Sequence, residues 1–429
     1  MLRVMLRTGE LACHFVDALR LDGDIRSSVM VLDQECPPSD GAYVCVVSVG
    51  DFWRVLPSSC AEQGVSHYST WLEPAILRDL RDQRALLLLD LCNEGPQFEA
   101  AHFDAIHVFL DSNQIPRRQA IWLSQNRSIQ ESYASFYQPE DVDHIRFAYY
   151  DYFIKRAAHL LASQRWQVET FGADSRYLEE LLDLRNKQRY ALCLNGTPRH
   201  HRLLMVSALH YYKLFEDCLI SCGCEHRLEN QPADIDGLQA VMASSEYRFL
   251  TDSYREILAM GEVRIDHQTS YRSELVDRVD PQVYRATYFS IVTETDFSDG
   301  TIDRITEKSV KAFGLGHPVL VAGNPHSIAR ITDLGFQDFA PLIPTDYDQI
   351  LAPELRFSVL LSSVLSQVVC IQDNAQSWLD SSAEISRYNY HYATGGGLSR
   401  TYRDRIEAPL IESLTGWLAT GHQHAGHRS

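Results

Sequence analysis

This sequence of 429 residues has no long unbroken apolar run. A long stretch without charge, Phe357 to Gln372, is interrupted by serines and a glutamine, so it predicts a buried helix and falls short of a membrane span. The opening residues, MLRVMLRTGELACHF, carry Arg3, Arg7 and Glu10 and no apolar core long enough for a secretory signal, which predicts a cytoplasmic protein. Basic charge is scarce: 39 Lys and Arg stand against 57 Asp and Glu. The net charge of −18 argues against nucleic acid and anionic lipid as partners, yet it leaves room for a small anion held by a few aimed cations. The ten cysteines follow no framework spacing, as expected of reduced thiols in the cytoplasm. No internal repeat or low-complexity tract is visible.

Short β-rich apolar runs alternate with helix-period segments along the chain, the pattern of α/β layers with largely parallel strands. Strands are expected at 28–33, 42–49, 85–91 and 120–125, with helices at 99–112 and 128–137. A charged helical stretch over 155–185, broken by a glycine, separates this series from a second one. The second has strands at 190–195, 217–223, 287–295 and 318–323, and helices at 201–215, from Thr306, and over SIARITDLG ending at Gly335. Two series in tandem predict two Rossmann-like lobes facing across a cleft, 1–165 and 166–375. A helical segment over 376–418 is expected to pack back on the first lobe, followed by a disordered tail over 419–429 whose histidines belong to a solvated terminus.

One turn concentrates charge. In IDRITEKSVKAFGLGHPVLVAG, Thr306 reads as an N-cap, and Glu307, Lys308 and Lys311 follow in the first turn or so, crowding one edge of the helix. Free N–H groups and partial positive charge at a helix N-terminus suit a phosphate, and two lysines strengthen that field. The bland alternative is a solvated face with a Glu307–Lys311 pair. A second polar cluster, LNGTPRHHR, occupies the corresponding strand-to-helix junction earlier in the series, with Asn195 ending the strand and Arg199 and Arg202 flanking the helix start. A guanidinium grips phosphate oxygens in two-point fashion, which makes both arginines diphosphate candidates; the alternative is ordinary surface arginines.

The block from Tyr288 to Phe339, with TEKSVKAFGLGHPVLVAGNPHSIARITDLGF, resembles the nucleotide-sugar-binding half of GT-B glycosyltransferases, particularly fucosyltransferase-like and bacterial polysaccharide enzymes. LCLNGTPRHHR looks like the arginine-bearing loop that opens the same half. The resemblance implies a sugar transferase with a nucleotide-sugar donor and a hydroxyl acceptor such as a glycan, with no cofactor beyond that donor. It implies that Glu307 meets the ribose or sugar, that Lys308 and Lys311 face the phosphates, and that Arg199 and Arg202 neutralise the departing nucleoside diphosphate. Asn195, Glu294 and Thr306 complete the donor-binding set. Such enzymes commonly work without a bound divalent metal, because a cationic pocket stabilises the charge instead. The acceptor needs a base, expected at a strand end of the first lobe, where LLLLDLCNEGPQFE offers Glu94 first and Asp90 behind it, with Asp51 from an earlier strand end as a further candidate; a carboxylate there also reads as a turn or cap residue.

Other signals are weaker. Cys218, Cys222, Cys224 and His226 match no zinc spacing and read as structural. Gly395, Gly396 and Gly397 follow no strand and read as a loop, and Asn389 and His391 sit in an aromatic stretch whose simplest account is packing. The competing functional classes are a catalytically inactive nucleotide-sugar-binding scaffold and, on the same fold, an epimerase or phosphorylase.

Overall fold

The run Ala85–Leu91 is buried along its whole length. A strand covered on both faces is what a parallel sheet flanked by helices requires. The computed structural model describes residues 1–6, 13–21, 28–32, 37–38, 41–48, 72–137, 143–164, 176–223, 246–263, 265 and 279–425. The chain divides into two compact units: unit 1 comprises Met1–Lys155, Thr301–Arg304 and Arg400–Ser429, and unit 2 comprises Arg156–Gly300 and Ile305–Ser399.

Unit 1 is built on β1 (Leu2–Leu6), β2 (Val29–Leu32), β3 (Tyr43–Ser48), β4 (Ala85–Leu91), β5 (Ala120–Ser124) and β6 (Arg146–Tyr149). All pair in parallel, in the order β2-β1-β3-β4-β5-β6. Helices α1 (His14–Arg20), α2 (Pro74–Arg81), α3 (Ala100–Ser112), α4 (Ile129–Tyr137) and α5 (Tyr152–Ser163) connect or follow these strands. The core joins β3, β4 and β5 to α2 and α3, with Phe103 against Trp122 at 5.0 Å between rings.

Unit 2 holds α6 (Tyr177–Leu181), β7 (Arg189–Asn195), α7 (His200–Tyr211), β8 (Leu219–Cys222), α8 (Thr251–Met260), α9 (Pro281–Arg285), β9 (Thr287–Thr293), α10 (Glu307–Gly314), β10 (Val319–Ala322), α11 (Ser327–Asp333) and α12 (Pro353–Thr394). Its four strands are parallel in the order β10-β9-β7-β8. Beyond α11, Gly335 takes φ 98°, a left-handed conformation that suits glycine, and the helix stops there. The chain then forms α13 (Gly397–Tyr402) and α14 (Ala408–Ala425).

The two parallel sheets, each flanked by helices, agree with the expected α/β organisation. Differences lie at the margins. Strands β1 and β6 were not expected; they are short, and β6, at the sheet edge, is only half-buried, so neither shows a full apolar run. The helix expected over 201–215 stops at Tyr211, and α14 continues through Ala425 into the segment expected to be a disordered tail. The charge-free stretch lies in α12, whose most apolar 18-residue window has mean hydropathy 1.5, enough by length and composition to cross a membrane; half of that window is buried in the fold.

Candidate functional site

In unit 2 the chain passes from β7 through α7 to β8 on one side, while β9 and β10 lie on the other. The strand order therefore reverses between β7 and β9, and the segments leaving their carboxyl ends diverge, the geometry at which open α/β sheets bind ligands. Leu192 stands opposite Ser290, which brings the strand ends Asn195 and Thr293 together. Thr293 Oγ1 donates to Asn195 Oδ1, and Asn195 Nδ2 donates to Cys193 Sγ at 3.3 Å. Gly223 closes the side: a Cβ there would meet the Gly196 carbonyl oxygen at 1.9 Å, so only glycine lets the end of β8 pass the loop after β7.

The two arginines behave differently. Arg202 is buried, and its Nε and Nη2 donate to the Glu294 carbonyl at 3.3 and 2.8 Å while Nη1 donates to the Thr197 carbonyl at 2.9 Å. Burial, reinforced by the like charge of Arg199, pushes its pKa down to about 10. Arg202 thus staples the loop after β7 to the end of β9. Arg199 takes the N-cap position of α7 with extended backbone; its side chain is 41% exposed and lies 3.8 Å from Asp296. His201 Nε2 donates to the same Glu294 carbonyl at 2.9 Å, its ring stacks on Phe297, and burial drives its pKa down to about 3.

The charged turn is organised around Glu294. This buried carboxylate accepts from Thr306 N at 3.1 Å, from Thr306 Oγ1 and Ser309 Oγ at 2.5 Å each, and from Thr295 N at 3.3 Å. Thr306 caps α10 as expected, its Oγ1 accepting from Lys308 N. The end of α10 is therefore served by the protein's own carboxylate, where the sequence pointed to an external phosphate. Lys308 Nζ donates to Thr295 Oγ1 at 3.1 Å and Thr306 Oγ1 at 3.2 Å and lies 3.6 Å from Glu307; its side chain is 31% exposed. Burial would raise the pKa of Glu307, but Lys308 and Lys311 together outweigh it and hold the carboxyl below its ordinary value. Lys311 is partly exposed one turn on. The sheet edge thus gathers four cations, Arg199, Arg202, Lys308 and Lys311, against three carboxylates, Glu294, Asp296 and Glu307.

Sequence reasoning missed His201, Thr295, Asp296, Ser309 and Arg356. The fully buried Arg356 donates to the carbonyls of Gly323, Ile350, Leu351 and Ser298 and lies 4.3 Å from the Phe297 ring, fixing the loop between β9 and α10. Its position as the last charge before a long uncharged stretch was the available signal.

The unit 1 candidates sit at the carboxyl end of β4. Asp90 is buried and accepts from Phe15 N and Cys92 N at 3.0 Å each and from Cys13 Sγ at 3.3 Å, anchoring the start of α1. Glu94 is half-exposed and lies 4.0 Å from Arg304 Nη1, which donates to Gln125. Asp51 lies outside the described residues, as do Cys224 and His226, while Cys218 and Cys222 are buried free thiols. Asn389 exchanges hydrogen bonds with the Gln337 backbone at 2.8 Å in both directions, so its role is packing; Gly395 and Gly396 form the turn after α12.

No group of three metal-ligating side chains occurs among the described residues. An Asp-x-Asp spacing occurs at 22/24, 141/143, 234/236 and 346/348. Of these only the last pair is wholly described, and there Asp348 accepts from Ile328 N and Ala329 N at the start of α11. Comparison with known protein families, with curated proteins and with solved structures finds no match.

Proposed function

We propose that this chain is a glycosyltransferase that moves a sugar from a nucleotide-sugar donor to a hydroxyl acceptor, with the donor's diphosphate held at the carboxyl edge of the unit 2 sheet. The supporting observation is the convergence, at the strand-order reversal, of Arg199 with Lys308 and Lys311 from a segment about a hundred residues later, linked by the Arg199–Asp296 and Lys308–Thr295 contacts. The parallel-sheet architecture of both units is compatible with this reading.

In this mechanism the acceptor oxygen attacks the anomeric carbon, the bond from that carbon to the diphosphate oxygen breaks, and the departing diphosphate takes the electron pair. Arg199, Lys308 and Lys311 stabilise the negative charge that develops on it. Arg202 and Glu294 hold the two loops in register beneath them. Glu94, half-exposed, is the better base of the two carboxylates on β4 and its following turn, because protein donors already occupy Asp90.

Arg199→Ala and Lys308→Met are each expected to weaken nucleoside diphosphate binding about tenfold or more, equivalent to about 1.4 kcal/mol, with an unchanged circular dichroism spectrum. Titration calorimetry reads the binding, and release of nucleoside diphosphate across an acceptor panel reads transfer. EDTA is expected to leave turnover unchanged. Unaltered binding in both variants would overturn the site. The engagement of Asp90 favours a second reading, a scaffold that binds a nucleotide sugar without transferring it; donor binding without product release across the panel would select it.

A further inference from the structure

The exposed face of α12 carries an independent inference. Between Glu354 and Asp373 its outward side chains include Leu355, Ser358, Ser362, Ser366, Val369 and Cys370, with Val359 and Leu365 half-buried among them. Leu355 is 56% exposed and Val369 54%, whereas Phe357, Leu360, Leu361, Val364, Val368 and Ile371 pack inward. In a chain of net charge −18, two copies repel wherever carboxylates face each other, and this face brings none.

From Leu355 to Val369 the order of side chains is palindromic in chemistry about Ser362; beyond it Cys370 would meet Glu354. A two-fold axis there sets Leu355 against Val369 of a second copy, Val359 against Leu365, Ser358 against Ser366 and Ser362 against itself. Apolar thus meets apolar and hydroxyl meets hydroxyl over roughly 21 Å of helix, at 1.5 Å per residue. Ser362 is small, and its hydroxyl already donates to the Ser358 carbonyl at 3.0 Å, so the crossing point admits a close helix without stranding a polar group.

We propose that the protein forms a symmetric dimer in which the α12 faces of two copies pack antiparallel about Ser362. Sedimentation of the full chain at tens of micromolar should give twice the chain mass, and Val369→Glu should return it to the monomer. Adding Leu355→Lys to Val369→Glu should restore the dimer, because each introduced glutamate then faces a lysine. Under mild oxidation Ser362→Cys should cross-link, whereas the native Cys370, about 24 Å from its symmetry mate, should not. A monomer at high concentration overturns the proposal. So does a dimer indifferent to Val369→Glu, a cross-link through Cys370 in place of residue 362, or a monomer whose α12 face binds neutral lipid vesicles.

Discussion

Arg202 and Arg199 are three residues apart and chemically identical, yet burial assigns them different work. Replacing Arg202 with Met leaves the Thr197 carbonyl without its donor and removes two bonds from Glu294, so a loss of about 2–3 kcal/mol in urea unfolding is expected. Arg199→Ala removes a half-exposed side chain and should stay within about 0.5 kcal/mol, its effect appearing in ligand binding. Protonation at His201 separates the two states of the chain in the same way. Its folded pKa is about 3 and its ordinary value 6.5, and His317, bonded to Ser290 and Thr287, is lowered equally. The unfolded chain therefore takes up protons below about pH 6.5 that the folded chain refuses until about pH 3. Stability from these groups is complete above pH 6.5 and declines as pH falls, by up to about 1.4 kcal/mol per pH unit for each. Urea midpoints measured between pH 7 and 5.5 should fall accordingly, and His201→Asn, which can still donate to Glu294, should remove only its own share of the slope, because burial also lowers the pKa values of His317, His107 and His200.

Helix α10 shows what an element discloses in its sequence and what it withholds. A threonine before an amphipathic run marks a cap, and Thr306 is one; Thr306→Ala should cost about 1 kcal/mol, read by chemical denaturation. That Glu294 meets the same helix end was not legible, because its carboxylate arrives across the whole loop after β9 and only the fold closes that distance. Buried strands such as β4 and β9 were legible nearly to the residue, since a continuous apolar run between turns has few other uses. The half-buried β6 was not. Helix α12 gives an intermediate case: the sequence suggested a change of segment near residue 375, and Asn374 leaves helical geometry there, its side chain accepting from Ser377 N at 3.0 Å as a fresh cap for the second half. Asn374→Ala should therefore destabilise by about 1 kcal/mol, a loss that a second capping residue, Asn374→Asp, avoids.

At the scale of the molecule, the chain leaves unit 1 after Lys155, rejoins it briefly over Thr301–Arg304 and returns for good at Arg400, so the returning segment must be fixed by contacts that the sequence interval conceals. A π-helical turn, Arg403–Glu407, sets Glu407 completely inside, where its carboxylate pairs with Lys155 at 2.7 Å and accepts from the Tyr150 hydroxyl at 2.6 Å. Tyr402 adds a two-way bond, its hydroxyl donating to the Asp151 carbonyl and accepting from Asp151 N, at 2.8 Å each. Desolvating both ions of such a pair offsets much of their attraction, so the pair adds little net stability over an apolar replacement, but removing one partner strands the other. Glu407→Ala is accordingly expected to cost unit 1 about 3–5 kcal/mol, whereas the double change Lys155→Met with Glu407→Leu should recover most of it. Hydrogen exchange resolved by peptide separates this from general destabilisation. In Glu407→Ala, amides of β4 should lose protection while those of β9 keep theirs; equal losses in both sheets would show that the pair does not act as the local clamp of the returning segment.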